Sequence, residues 1–189
     1  IRPKNWRLFI LLVASIALLH VAGVMAVPDV PLFFFAALWI WKLRSYLEEP
    51  TFRKSIFLGL VAALLIYSKY HGLMLLGLCL LPNLRLFKEW TFYVLLGFAL
   101  ILLLPHVLWL VKMDYQPLKF HLFHRGERGF DFVNVAFYVG GQLLLFGPLV
   151  GIILFGAAVK LKARDAFERM LKFCFYGVFG FLFLLSLRG

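Results

Sequence analysis

The chain has 189 residues, of which 63% are apolar and 22 are Phe, a composition that excludes an ordinary water-soluble domain. A formal net charge of +11 raises nucleic acid as a partner, yet the basic residues sit in short clusters between apolar runs and build no continuous basic face. They read as determinants of membrane orientation, and the reading is of a protein with no nucleic-acid partner.

The apolar runs lack the two-residue alternation of a membrane β-barrel, and in lipid their backbone groups must bond internally. The expected fold is therefore all-α, a polytopic helical transmembrane protein. The first run, residues 8–27, is long enough to cross at a rise of about 1.5 Å per residue. Pro28 and Pro31 close it, with Asp29 between them. The second run, 31–47, crosses back and ends in Lys42 and Arg44, whose stems can snorkel toward the headgroups. The third, 56–81, is broken in its middle by "YSKYHG". One continuous helix would bury Lys69 near mid-membrane, whereas two shorter arms meeting at this turn carry it to the opposite surface at far lower cost. Further runs cover 91–111, 133–159 and 171–187, so residues 1–189 read as a single transmembrane domain of about six to seven crossing segments. A start at Ile1 and a stop at "LSLRG" directly after an apolar run suggest a fragment of something longer.

Lys and Arg give this threading an orientation. The loops at 1–7, 42–54, 85–89 and 160–172 hold about fourteen of them, and those around 29, 69–71 and 112–131 hold about five. The first set is expected to be cytoplasmic. Asp29, Lys69, Tyr70, His71 and "KMDYQPLKFHLFHRGERGFD" then share the outer face. If "KFHLFHRGER" is helical, His121 and Arg125 stand at i and i+4 on a face with His124, while Phe120 and Phe123 dip into the interface. That pattern suits a lipid phosphate. It also suits an ordinary amphipathic helix resting on anionic headgroups.

Lys69 either points at a phosphate or pairs with Asp29 as scaffold. Asp29 fits a proton acceptor, a cation ligand, a sugar contact or an N-cap for the next helix. His20 and His106, inside apolar runs without evident partners, read as interior histidines. Asp114 is expected to pair with Lys112, and Glu127 with Arg125 or Arg128, as weak surface pairs. Cys79 and Cys174 lie inside apolar stretches and read as small buried hydrophobes, with neither a disulfide framework nor a metal site. The small residues of "VGGQLLLFGPLVG" permit close helix packing, with Gln142 available for an interhelical hydrogen bond. No phosphate-binding glycine loop, zinc spacing or hydrolase elbow is present.

Four stretches in succession, "VMAVPDVPLFFFAAL", "GLVAALLIYSKYHGLMLL", "LPHVLWLVKMDYQPLKFHLFHR" and "NVAFYVGGQLLLFGPLV", cover roughly residues 20–150. Together they resemble GT-C type integral membrane glycosyltransferases, in the bacterial branch related to protein O-mannosyltransferases and aminoarabinose transferases (glycosyltransferase family 39/83-like). The resemblance implies a partial GT-C-like membrane domain. Its activity would be transfer of a sugar from a polyprenyl-phosphate donor to an acceptor hydroxyl of a glycan, lipid or protein, on the extracytoplasmic side of a bacterial inner membrane. It implies Asp29 as an accessory carboxylate, Lys69, Arg125 and His124 as donor-phosphate ligands, and Tyr70, His71 and His121 as substrate contacts. It assigns no certain cofactor and is compatible with a divalent cation. Family members carry their principal acidic motif in the loop after the first membrane helix, and nothing before Arg7 supplies it; the family's soluble C-terminal domain is also missing. The main base is thus expected outside this sequence. Two other classes compete: a non-catalytic polyprenyl-lipid-binding or transport module, and a structural membrane subunit.

Overall fold

A computed structural model describes residues 5–16, 20, 27–119 and 132–187. Among these residues every regular element is helical. Helix α1, Trp6–Ala14, is capped by Asn5, whose side-chain oxygen accepts the Leu8 N–H at 3.1 Å. It stops where the Ser15 hydroxyl donates to the Leu11 carbonyl at 2.6 Å and a ring nitrogen of His20 donates to the Ala14 carbonyl at 2.6 Å. The run expected to be one helix over 8–27 is therefore interrupted at Ser15 and Ile16. His20, whose partner is not evident in the sequence, finds one here because a helix end leaves carbonyls open, and it is exposed where an interior histidine is expected.

Helix α2 covers Asp29–Glu48 and α3 covers Phe52–Ser68, joined by a tight Glu49-Pro50-Thr51 connection. Helix α4, His71–Leu80, leads into a 3₁₀ segment, Leu81–Lys88, kinked at Asn83, whose amide donates to the Cys79 carbonyl at 2.9 Å. Helix α5, Trp90–Lys112, carries Pro105 inside it, and the short α6, Gln116–Lys119, follows. Residues 133–159, expected as one run, divide into α7, Phe132–Phe146, and α8, Pro148–Lys160. Gly147 breaks them with φ +80, a conformation open to glycine, and Pro148 then begins the new helix without needing its missing N–H. Helix α9, Ala166–Ser186, starts earlier than expected because Asp165 caps it, accepting the Glu168 N–H at 2.7 Å. Glu168 returns the favour by accepting the Arg164 N–H at 2.8 Å.

Helices α2, α5 and α9 are long and apolar enough to cross a membrane, consistent with a helical membrane protein. The other apolar helices are shorter arms. The core forms where α3 packs on α2 and α5, and α9 packs on α4. Trp39, Leu43 and Tyr46 of α2 meet Leu58, Val61, Ala62 and Leu65 of α3. Phe92, Leu95 and Ala99 of α5, Phe167, Met170 and Cys174 of α9, Leu76 and Cys79 of α4 and Leu86 of the 3₁₀ segment belong to the same cluster. Each set repeats at three or four residues, so each helix turns one face inward. The outward faces are apolar too: Phe34, Trp41, Leu100, Ile101 and Leu144 are exposed, as lipid-facing side chains would be.

Polar side-chain contacts gather toward the two ends of this bundle. At one end Tyr46 and Thr91 share a buried hydrogen bond of 3.0 Å, Arg44 lies 3.8 Å from Asp165, and the Lys54 ammonium donates to Ser45 and Glu49. The other end holds the residues considered next.

Candidate functional site

The site begins with the break between α3 and α4. The Ser68 hydroxyl donates back to the Leu64 carbonyl at 2.8 Å, and the Lys69 N–H makes the last helical bond, to Leu65 at 3.3 Å. Lys69 itself is extended, with φ −167 and ψ 139. The chain re-enters helix at once, the Gly72 N–H bonding to the Lys69 carbonyl at 2.8 Å. The two arms approach so closely that a Cβ on Gly72 would stand 2.6 Å from the Leu65 carbonyl oxygen, so the turn requires glycine there. The break expected at "YSKYHG" is present, and it frees the Lys69 side chain from the helix surface.

That side chain reaches Asp29. Lys69 Nζ donates to Asp29 Oδ1 at 2.6 Å, with the two side chains 36% and 34% exposed. A contact this short between a cation and a carboxylate is a charge-assisted hydrogen bond, and partial burial protects it from the screening that weakens surface pairs. Asp29 is the first residue of α2 and not its N-cap; Pro28 holds the cap position and makes no side-chain cap bond. The capping role is thereby corrected: the carboxylate serves Lys69, while its place in the first turn still suits the helix dipole.

The next residue, Tyr70, carries the site onto α5. Its hydroxyl lies 3.0 Å from Nε2 of His106. The His106 ring sits among Tyr67, Tyr70 and Trp109, with centroid distances of 5.5, 5.7 and 5.6 Å, stacked on the last. Tyr67 donates from its hydroxyl to the Leu102 carbonyl at 2.8 Å, beside the place where Pro105 removes an N–H from the helix ladder. His106, expected to be an interior histidine and with no partner evident in the sequence, is half-buried and hydrogen-bonded to Tyr70, which ties it to the candidate site. His71 opens α4, half-buried beside these groups.

Arg125, His124 and His121 lie outside the described residues. Asp114, expected to pair with Lys112, instead accepts from Lys119 Nζ at 2.7 Å. The correction has a local cause: Asp114 and Tyr115 take φ values of 48 and 55 as the chain leaves α5, and the turn carries Asp114 toward α6. Cys79 and Cys174 are buried as expected, but they also meet, with Sγ atoms 3.5 Å apart across α4 and α9. No metal-holding group of three His, Cys, Asp or Glu side chains is present among the described residues.

Chemically the arrangement offers one ammonium, one carboxylate, and a phenol hydrogen-bonded to an imidazole, joined through the Lys69–Tyr70 peptide. It can exchange an anion at Lys69 and move a proton at Asp29 or His106. No protein-family model matches the chain, and neither a characterised protein nor a solved structure matches it.

Proposed function

We propose that the chain is the membrane domain of a glycosyltransferase using a polyprenyl-phosphate-linked sugar, with the Asp29–Lys69 pair as the donor-phosphate site at rest. The reading is supported by the likeness of the four quoted stretches to the GT-C family and carried by one observation. A half-buried ammonium is kept at the break between two apolar helices with a single carboxylate against it at 2.6 Å. A Lys held half-buried at this end of the bundle favours an anion beside it, and the phosphodiester of a lipid-linked sugar can take the place of the carboxylate.

In the transfer step the acceptor hydroxyl oxygen forms a bond to the anomeric carbon. The bond from that carbon to the phosphate oxygen breaks, and its electron pair goes to the phosphate. Lys69 stabilises that growing charge. Asp29, released from Lys69 by the donor, is placed to hold the acceptor hydroxyl as an accessory carboxylate and to accept the proton that the hydroxyl gives up. Tyr70, kept in place by His106, borders the donor and gives the sugar a hydrogen-bonding neighbour. Arg125 and His124 are proposed as further phosphate ligands, and His71 and His121 as substrate contacts. The outer membrane face is the proposed location, from the distribution of Lys and Arg along the sequence.

A second reading, a non-catalytic lipid-binding module with the pair as a clamp, is favoured by the same closed contact, since a clamp needs nothing more. The two separate in an assay of labelled sugar released from polyprenyl-phosphate donor by the full-length protein in membranes. The enzyme reading expects release by wild type, a loss of about a hundredfold or more in Lys69→Ala at matched folded amounts, and weakened donor binding. Absence of release across several donors, with donor lipid still bound, establishes the module instead.

A further inference from the structure

The opposite end of the bundle holds a second group of charges that the transferase reading does not use. A cavity of about 420 Å³ opens between the end of α2 and the start of α3, lined by Trp41, Lys42, Ser45, Arg53, Lys54 and Phe57. This volume falls within the roughly 300–1,000 Å³ typical of small-ligand sites.

The three cations there are not equivalent. Lys54 is satisfied: its ammonium donates to the Ser45 and Glu49 carbonyls at 3.0 and 2.9 Å and to a Glu49 carboxylate oxygen at 3.2 Å. Lys42 rests over aromatic faces, 4.1 Å from the Trp41 ring centroid and 5.4 Å from that of Phe57. Neither Lys42 nor Arg53 pairs with a carboxylate among the described residues. The cavity therefore keeps two uncompensated positive charges beside a serine hydroxyl.

We propose that this cavity binds the phosphate of an anionic phospholipid, Arg53 and Lys42 holding the phosphate oxygens. The ring contacts fix the Lys42 ammonium at the rim instead of letting it sweep through water, and a guanidinium presents paired donors that match a phosphate. The cavity is also continuous with lipid-facing surface, which selects a lipid over a free phosphate. Trp41 is 60% exposed, and Phe34, two turns earlier on the same face of α2, is exposed as well. Phe57 and the following Leu60 form the equivalent strip on α3. A headgroup in the cavity would lay its acyl chains along these strips, with Trp41 at the boundary where indole rings favour the interface. A zwitterionic headgroup fits less well, because its ammonium would meet the same two cations.

The test titrates the full-length protein in detergent with dioleoyl phosphatidylglycerol, with dioleoyl phosphatidylcholine, and separately with inorganic phosphate, reading bound lipid by native mass spectrometry and bound phosphate by calorimetry. Phosphatidylglycerol is expected to bind at least about tenfold more tightly than phosphatidylcholine, and the double variant Lys42→Gln/Arg53→Gln to lose roughly thirtyfold of that affinity. The pair Lys88→Gln/Arg169→Gln removes the same charge outside the cavity and is expected to change affinity by less than about threefold, consistent with diffuse attraction alone. Should the double variant fail to fold, Arg53→Gln alone carries the test, with an expected loss of roughly fivefold. Equal affinity for the two lipids, an unchanged affinity in the cavity variants, or an equal loss in the outlying pair would each overturn the proposal. Inorganic phosphate binding as tightly as phosphatidylglycerol would overturn the lipid as occupant.

Discussion

Removing one partner of the Asp29–Lys69 pair separates its packing role from its chemistry, and the size of the effect follows from the geometry. The contact is 2.6 Å long and both side chains are about one-third exposed. A fully exposed pair would be worth about 0.2–1 kcal/mol and a charge-assisted hydrogen bond about 1.5–3 kcal/mol. Partial burial puts the coupling between them, at about 1–2 kcal/mol. Asp29→Asn leaves a half-buried ammonium without its anion, and Lys69→Met leaves a carboxylate without its cation. Each single change is expected to destabilise by about 1–3 kcal/mol, whereas the double change removes both charges together and costs less than the sum. The assay is a double-mutant cycle of unfolding free energies from SDS titration of the protein in detergent. Two singles that add to the double within about 0.5 kcal/mol would show that the pair does not hold α2 to the α3–α4 break, and would refute the reasoning.

Cys79 and Cys174, with sulfurs 3.5 Å apart, should oxidise to an intramolecular disulfide when membranes are treated with copper phenanthroline; a maleimide gel-shift would show loss of both thiols together, and two thiols still reactive after treatment would count against the packing of α4 on α9. Gly147→Ala forces a side chain into φ +80 and is expected to cost about 1–3 kcal/mol, read in the same SDS titration; a neutral substitution would mean that α7 and α8 are not broken there.

The helical class and the Lys69 break were legible because both follow from solvation. An apolar composition has one solvent that suits it, and a Lys in mid-run is tolerated only where the chain can bring it to a surface. Placing Asp29 at that same end was legible too, from counting crossings. Their contact stands in the sequence only as one of two alternatives for Lys69, since a separation of 40 residues leaves no local trace to choose between them. His106 shows the limit more sharply. It lies inside an apolar run and 36 residues from Tyr70, and its nearest signal was Pro105, which marks a weakened ladder without saying what binds there. Two boundaries carry their signals in the sequence itself: Gly147-Pro148 is a break signal inside a small-residue packing motif, and Asp165 with Glu168 is a capping pair inside a charged loop. Arg125, His124 and His121 rest on the family resemblance and on their residue chemistry.

Under the transferase reading, the modest strength of the Asp29–Lys69 pair suits it to a resting state. A ligand shifts an equilibrium only by the difference in its affinity for the two states, so a contact worth much more than the phosphate can offer would stay closed. At about 1–2 kcal/mol the carboxylate is within reach of displacement by a phosphodiester making one or two charge-assisted bonds of its own. The exchange swaps one negative charge for another at Lys69, so the ammonium is never stranded, and the cost falls on Asp29, which must find water, a donor hydroxyl or a proton. That requirement ties the two halves of the transferase reading together: an acceptor hydroxyl arriving beside the released carboxylate lowers the cost of donor binding. Under that reading donor affinity rises when acceptor is present and the gain disappears in Asp29→Asn. A clamp predicts no such coupling, because it has no acceptor hydroxyl to bring beside the carboxylate.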